Sequence, residues 1–96
     1  MVRARLRFMA AAQGYRYLRV SVKVTGRRRI GIPALAHELQ HAVEIAQAGD
    51  VRDERTLADL FRRIGWQSER RVSVFETEAA RVVEERVRRE LFPAKR

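Results

Sequence analysis

The sequence predicts a small α+β domain, residues 1–96, in which an antiparallel β-hairpin or small sheet packs on a central helix, a short helix and a long C-terminal helix. Three observations carry this. Two runs near the N-terminus alternate apolar and polar residues with the period of a half-buried strand. A fifteen-residue stretch between Pro33 and Gly49 has helical periodicity with a start and a stop signal. Two further apolar stripes with helical spacing follow it. Strands first and helices afterwards is the pattern of an α+β fold.

The first run is residues 2–8, with Val2, Ala4, Leu6 and Phe8 on one face and Arg3, Arg5 and Arg7 on the other. Residues 9–14 are small and read as a connection. The second run, residues 17–24, sets Leu18, Val20, Val22 and Val24 against Tyr17, Arg19, Ser21 and Lys23. The two runs predict a hairpin, which is marginal alone and must pack its apolar face on the helices. Thr25 to Arg29 reads as a solvated turn. Pro33 suits a first helical turn, and Gly49 suits the position just past a helix end. At about 100° per residue, Leu35, Leu39, Ala42, Val43 and Ala46 form one stripe, expected to pack on the core. His37, Gln40, His41 and Glu44 lie opposite, facing a cleft. Thr56 is placed to cap a short helix ending at Ile64, with Leu57, Leu60, Phe61 and Ile64 inward and Gly65 as its stop. Trp66 is expected as a packing anchor and residues 67–71 as a loop. Ser73 is expected to begin the last helix, which runs to about Leu91 with Phe75, Ala79, Val82 and Val83 as its apolar stripe.

Composition narrows the functional classes. A chain of 96 residues buries only about 60–65% of its unfolded surface, so a bound metal or a second subunit would add useful stability. Both a monomer and a homodimer are compatible with this. The net charge of +9, nearly all of it arginine, raises nucleic acid as a partner. Against that, basic residues occur in every segment and several have acidic neighbours at helical spacing. The absence of cysteine fits a reducing, cytoplasmic setting and excludes a thiolate metal site. No apolar run approaches the ~20 residues of a membrane span. Arginines at 3, 5 and 7 interrupt any signal-peptide core.

The chemistry concentrates in His37-Glu38-Leu39-Gln40-His41, which holds the only two histidines. On a helix, residues four apart stack on one face, so both imidazoles can reach one metal ion. Zinc favours such nitrogen ligands and, in catalytic sites, keeps one position for water. Glu38 lies where it can take that water's proton as general base. A third protein ligand is expected, and without further His or Cys it must be a carboxylate. On the last helix Glu76 lies about 60° from the centre of the apolar stripe and Glu78 about 100° from it on the other flank. Glu76 also continues a line with Ala80, Val83 and Val87. It is favoured over Glu78, with Glu44 third. Ser73 and Glu76 also have the spacing of a capping box, which would explain Glu76 without a metal.

Leu35 to Ala42, read as LAHELQHA, and Phe75 to Ala80, read as FETEAA, together resemble a small gluzincin-type zincin. The similarity extends to short bacterial zincin-like proteins that carry a hairpin like Leu6-Arg7-Phe8 and Tyr15 to Val20. The single-domain minigluzincins are similar in size and plan. The resemblance implies a zinc (Zn2+) metallopeptidase acting on a peptide or protein, with His37, His41 and Glu76 as ligands and Glu38 as general base and acid. It also implies that residues 17–24 pair with an extended substrate, making Tyr17, Arg19 and Ser21 substrate-binding. Tyr15, Tyr17 and Arg19 are the candidates for stabilising an oxyanion. Two features depart from the family pattern. Ala80 stands where many gluzincins place an Asp or Asn that orients a histidine, and the chain is short. A catalytically inactive zincin-like binding protein is the alternative that these departures raise.

Overall fold

The computed structural model describes residues 2–67 and 75–93, and it is an α+β fold. Strand β1, Val2–Ala12, pairs antiparallel with β2, Tyr15–Val24. The alternation works as the pattern dictates: even positions from Val2 to Phe8 and from Leu18 to Val24 turn inward, and the odd positions are exposed. Residues 9–12 are strand rather than connection. A bulge between Phe8 and Ala10 slips the register by one, so that Phe8 faces Leu18 and Ala10 faces Tyr17. The connection shrinks to Gln13-Gly14, both at positive φ (54° and 82°), as a tight hairpin turn matched to the strand twist requires.

A 3-10 turn, Arg28–Gly31, leads into helix α1, Ile32–Ala46, with Pro33 in its first turn. Gly31 sits so close to Val22 and Val24 that a Cβ there would collide with the Val24 side chain. Helix α2, Glu54–Ile64, is capped by Asp53 and not by Thr56. Thr56 is instead the third residue of the helix and completes a capping box: its amide donates to Asp53 Oδ1 at 2.8 Å, and the Asp53 amide donates to its hydroxyl at 3.1 Å. A second, minimal sheet pairs β3, Trp66–Gln67, with β4, Phe75–Glu76. Helix α3, Glu78–Leu91, is capped by Thr77. Among the described residues no helix is long and apolar enough to cross a membrane.

Several expectations are corrected. The last helix starts after Thr77, because β4 takes up Phe75 and Glu76; Ser73 lies outside the described residues, as do 68–71 of the expected loop. Glu76 is therefore not a helical capping residue. Trp66 is 44% exposed, placed by strand pairing rather than by burial of its ring, and Ile64 is also exposed. On α3 the inward line is Ala80, Val83, Val87 and Leu91, while Ala79 and Val82 face out.

Helix α1 is turned relative to expectation. Pro33, His37, His41 and Ile45 are its buried positions, and Leu35, Leu39 and Val43 are exposed. Hydrophobicity alone turns the histidines outward. Carboxylates from α1, β4 and α3 meet these imidazoles and offset part of the cost of burying them, while His37 Nδ1 and His41 Nε2 stay without a hydrogen-bond partner among the described residues. The apolar core lies beyond them, where Phe8, Ile45, Val51, Leu60 and Phe61 pack together with Leu6, Leu18 and Phe75 at the margin. Arg16 locks the hairpin to this end of α1. Its guanidinium donates to the carbonyls of Ile45 (2.7 Å), Ala46 (3.1 Å) and Ala48 at and just past the helix end, where Ile45 and Ala48 also accept from the Ala48 and Val51 amides at 3.0 and 3.3 Å. At the other end Arg29 donates to the Leu91 carbonyl at 3.2 Å and lies over the Phe92 ring, joining the expected solvated turn to α3.

Candidate metal centre

One turn of α1 places His37 and His41 side by side, ring centroids 4.8 Å apart and edge to face. Phe61 of α2 meets the His41 ring edge at 5.1 Å and stacks on Phe75 at 6.2 Å, holding the imidazole from behind. Opposite the histidines, β4 delivers Glu76. The pairing of Trp66 with Glu76 fixes that strand, and Gly65 lies against the Glu76 carbonyl so tightly that a Cβ would overlap it. Glu76 Oε2 ends 3.1 Å from His37 Nε2. His37, His41 and Glu76 each offer a ligand atom, all within 4.8 Å of one another.

The far sides of both rings meet carboxylates. Glu44 Oε1 lies 2.8 Å from His41 Nδ1, and its Oε2 accepts from the Thr77 hydroxyl at 2.7 Å. Thr77 is 2% exposed and also accepts from the Ala80 amide at 3.2 Å, so this chain of bonds ties His41 to the start of α3. A carboxylate can only accept, which makes His41 Nδ1 the protonated nitrogen and leaves the lone pair on Nε2. That Nε2 is buried with no hydrogen-bond partner. Glu84 Oε1 approaches His37 Nδ1 to 2.7 Å, off the direction of a hydrogen bond, so the contact is a charge contact rather than a directed bond. The other Glu84 oxygen is held by Arg88 at 2.7 Å.

The electrostatics follow from this crowding. Burial pushes the Glu38 carboxyl above the ordinary carboxylate range; His41 and His37 oppose this, while Glu76 and Glu84 add to it. For His37, burial favours the neutral ring. Its contact with Glu76 and the fields of Glu76, Glu38 and Glu84 outweigh burial, so the ring holds its proton above the usual histidine range. Glu76 is the reciprocal case: burial is outweighed by His37, with His41 and Arg81 assisting, and the carboxyl stays below its usual range.

The donor set fits a divalent ion. Two imidazoles and a carboxylate converge, and a buried imidazole nitrogen has no hydrogen-bond partner among the described residues. Of the predicted residues, His37, His41 and Glu76 come together and Glu38 lies within their electrostatic reach. Glu78 is exposed at the start of α3, apart from the cluster. Glu44 faces the back of His41. Tyr17, Arg19 and Ser21 occupy the exposed face of β2, as does Tyr15, so their side chains turn away from the face that packs toward α1. Glu84, Thr77 and Phe61 escaped sequence reasoning. Glu84 had one signal, a carboxylate one turn beyond Ala80 on the inward line. No family model matches the chain, and neither does any curated protein or solved structure.

Proposed function

We propose that the chain is a zinc-dependent peptidase. The observation that carries this reading is the buried, unpartnered His41 Nε2 beside His37 and Glu76, with a carboxylate behind each ring. Zinc bound by His37, His41 and Glu76 supplies Lewis acidity, which brings the pKa of a coordinated water toward neutrality. Glu44 keeps His41 in the tautomer that presents Nε2, and Glu84 sets the field at His37. Glu84 stands one turn beyond Ala80, where it supplies charge to His37 and not the orienting hydrogen bond of the gluzincin pattern. Glu38 takes the proton of the attacking water and passes it to the leaving amine. Its raised pKa suits both steps, since a base and acid works best near the ambient pH. In a two-stranded sheet each strand has one open edge among the described residues, and the β2 edge is where an extended substrate backbone adds. Tyr17, Arg19 and Ser21 then flank that substrate.

The test is zinc content and peptide cleavage measured together on wild type, Glu76→Ala and Glu38→Gln. The expected result is about one zinc per chain in wild type and in Glu38→Gln, much less in Glu76→Ala, and cleavage by wild type alone. Cleavage retained in Glu38→Gln removes that residue from the mechanism. Zinc held by wild type without turnover of any peptide offered marks a metal-stabilised binding domain instead.

A further inference from the structure

The charge of this protein is distributed unevenly. Residues 1–37 hold nine of the 21 Lys and Arg and none of the 12 Asp and Glu. The remaining 12 basic residues balance the 12 acidic ones, so the whole excess of +9 belongs to the hairpin and the turn after it. The strand register concentrates it further. Arg3, Arg5 and Arg7 of β1 and Arg19 and Lys23 of β2 share the outer face of the hairpin, all exposed. Arg7 faces Arg19 directly, and Arg3 faces Lys23. Like charges directly opposite destabilise a sheet. Among the described residues none of the five has an ion-pair partner, whereas the arginines of α2 and α3 are interleaved with Asp and Glu.

The same face carries aromatic rings. Tyr15 and Tyr17 are 69% and 53% exposed, and their cross-strand neighbours are Ala12 and Ala10. The bulge after Phe8 returns those alanines to the tyrosine side. Alanines leave the rings uncovered, so the tip of the hairpin is an aromatic platform continuous with a field of cations.

We infer that the outer face of the β1–β2 hairpin binds single-stranded nucleic acid, with Arg3, Arg5, Arg7, Arg19 and Lys23 on phosphates and Tyr15 and Tyr17 stacking on bases. The guanidinium fork matches phosphate geometry, and four of the five cations are arginine. Aromatic side chains on a sheet face accept unpaired bases, which a duplex keeps stacked inside. An anionic membrane is the poorer fit, because the exposed large apolar side chains of the two strands are only Met9, Tyr15 and Tyr17, too few to enter a bilayer as an apolar face. The surface lies on the side of the hairpin away from the histidines, so the inference does not rest on the peptidase reading.

The experiment is titration of the full chain with a labelled oligouridylate, its duplex form, and anionic lipid vesicles across a range of salt. Single-strand binding is expected with a log–log salt slope of about −3.5, from roughly 0.7 for each of five phosphates. The double variant Arg5→Gln/Arg7→Gln flattens that slope by about 1.4. Tyr15→Ala weakens binding by roughly 5- to 100-fold at constant slope. Arg86→Gln, on the balanced helix α3, serves as the control and changes neither. The Arg7→Gln variant relieves the Arg7–Arg19 opposition, so its melting temperature stays level or rises, which separates lost binding from lost folding. Binding preserved in the arginine variants, binding to vesicles in place of RNA, or a preference for duplex that Tyr15→Ala leaves intact would each overturn the inference.

Discussion

Replacing Glu44 with alanine isolates the part of the proposed metal centre that would orient a ligand without being one. The variant removes the 2.8 Å contact to His41 Nδ1 and the 2.7 Å bond from the Thr77 hydroxyl, at a side chain only 9% exposed. One buried ring N–H loses its acceptor, at about 1–3 kcal/mol. The Thr77 hydroxyl suffers less, since it still accepts from the Ala80 amide. A total near 2–3 kcal/mol lowers the melting temperature of a domain this size by roughly 10–20 °C. Freed from Glu44, His41 can place its proton on either nitrogen and turn its ring, which weakens metal affinity by about 10–100-fold. Glu44→Gln is the discriminating partner, because its amide oxygen still accepts from Nδ1–H. It should hold zinc within a few-fold of wild type, by about the margin of one uncharged hydrogen bond. The assay is competition against a chromophoric chelator, with melting curves in excess chelator to report folding separately. A folded Glu44→Ala protein that binds zinc as tightly as wild type would refute the positioning argument.

Three further outcomes follow from the same contacts. His37, with its pKa raised, contributes stability that is complete below the ordinary histidine value and is lost as pH rises through the raised one; Glu76, with its pKa lowered, contributes stability present above the ordinary carboxylate value and lost as pH falls through the depressed one. In chelator the melting temperature should therefore fall as pH rises through the upper histidine range, while zinc affinity climbs over the same interval because the ion displaces the His37 proton; a His37→Ala protein showing the same pH profile would rule this out. Arg16→Met leaves the Ile45, Ala46 and Ala48 carbonyls without their charged donor, and chemical denaturation should register a loss of about 2–4 kcal/mol with the zinc site intact when folded. Asp53, whose pKa is lowered by the Thr56 amide and hydroxyl, stabilises α2 above the ordinary carboxylate pKa, and this is lost as pH falls through the depressed value; Asp53→Asn should keep the cap and flatten the acid limb of the stability profile, whereas Asp53→Ala loses the cap at neutral pH too.

What could be read from the sequence divides along physical lines. The hairpin was legible because strand alternation is local and both strands keep it from Val2 to Phe8 and from Leu18 to Val24. The extension through Ala12 was not, because the bulge breaks the period just where the residues become small. The start of α1 was legible from Pro33, but neither its end nor its rotation was: the helix stops at Ala46 with Gln47 as its cap, and Gly49 lies beyond without a positive φ. The burial of His37 and His41 depends on carboxylates brought by β4 and α3, and no hydropathy scale contains those pairings. Glu76 was selected by a helical angle, yet it arrives on a two-residue strand too short to show any period. Its inward direction has a different cause, the pairing with Trp66 that seats β4. Glu84 belongs to the inward line of α3 and had no place in the sequence reading.

Gly65 gives α2 a part in the site that its own side chains do not announce. The helix ends where its last backbone unit touches the backbone of Glu76, with no side chain between them to absorb a shift. Its other end is pinned by the Asp53–Thr56 box, and its middle is wedged by Leu60 and Phe61 in the core. α2 is thus a short rigid strut, and displacement at either end is handed on to the carboxylate opposite the histidines. The spacing of the three candidate ligands is set by the length and seating of this strut as much as by the helix that carries the motif. If the centre holds an ion, variation that retunes it for a larger or smaller one has its most direct route through residues 53–65, none of which is among the three candidate ligands.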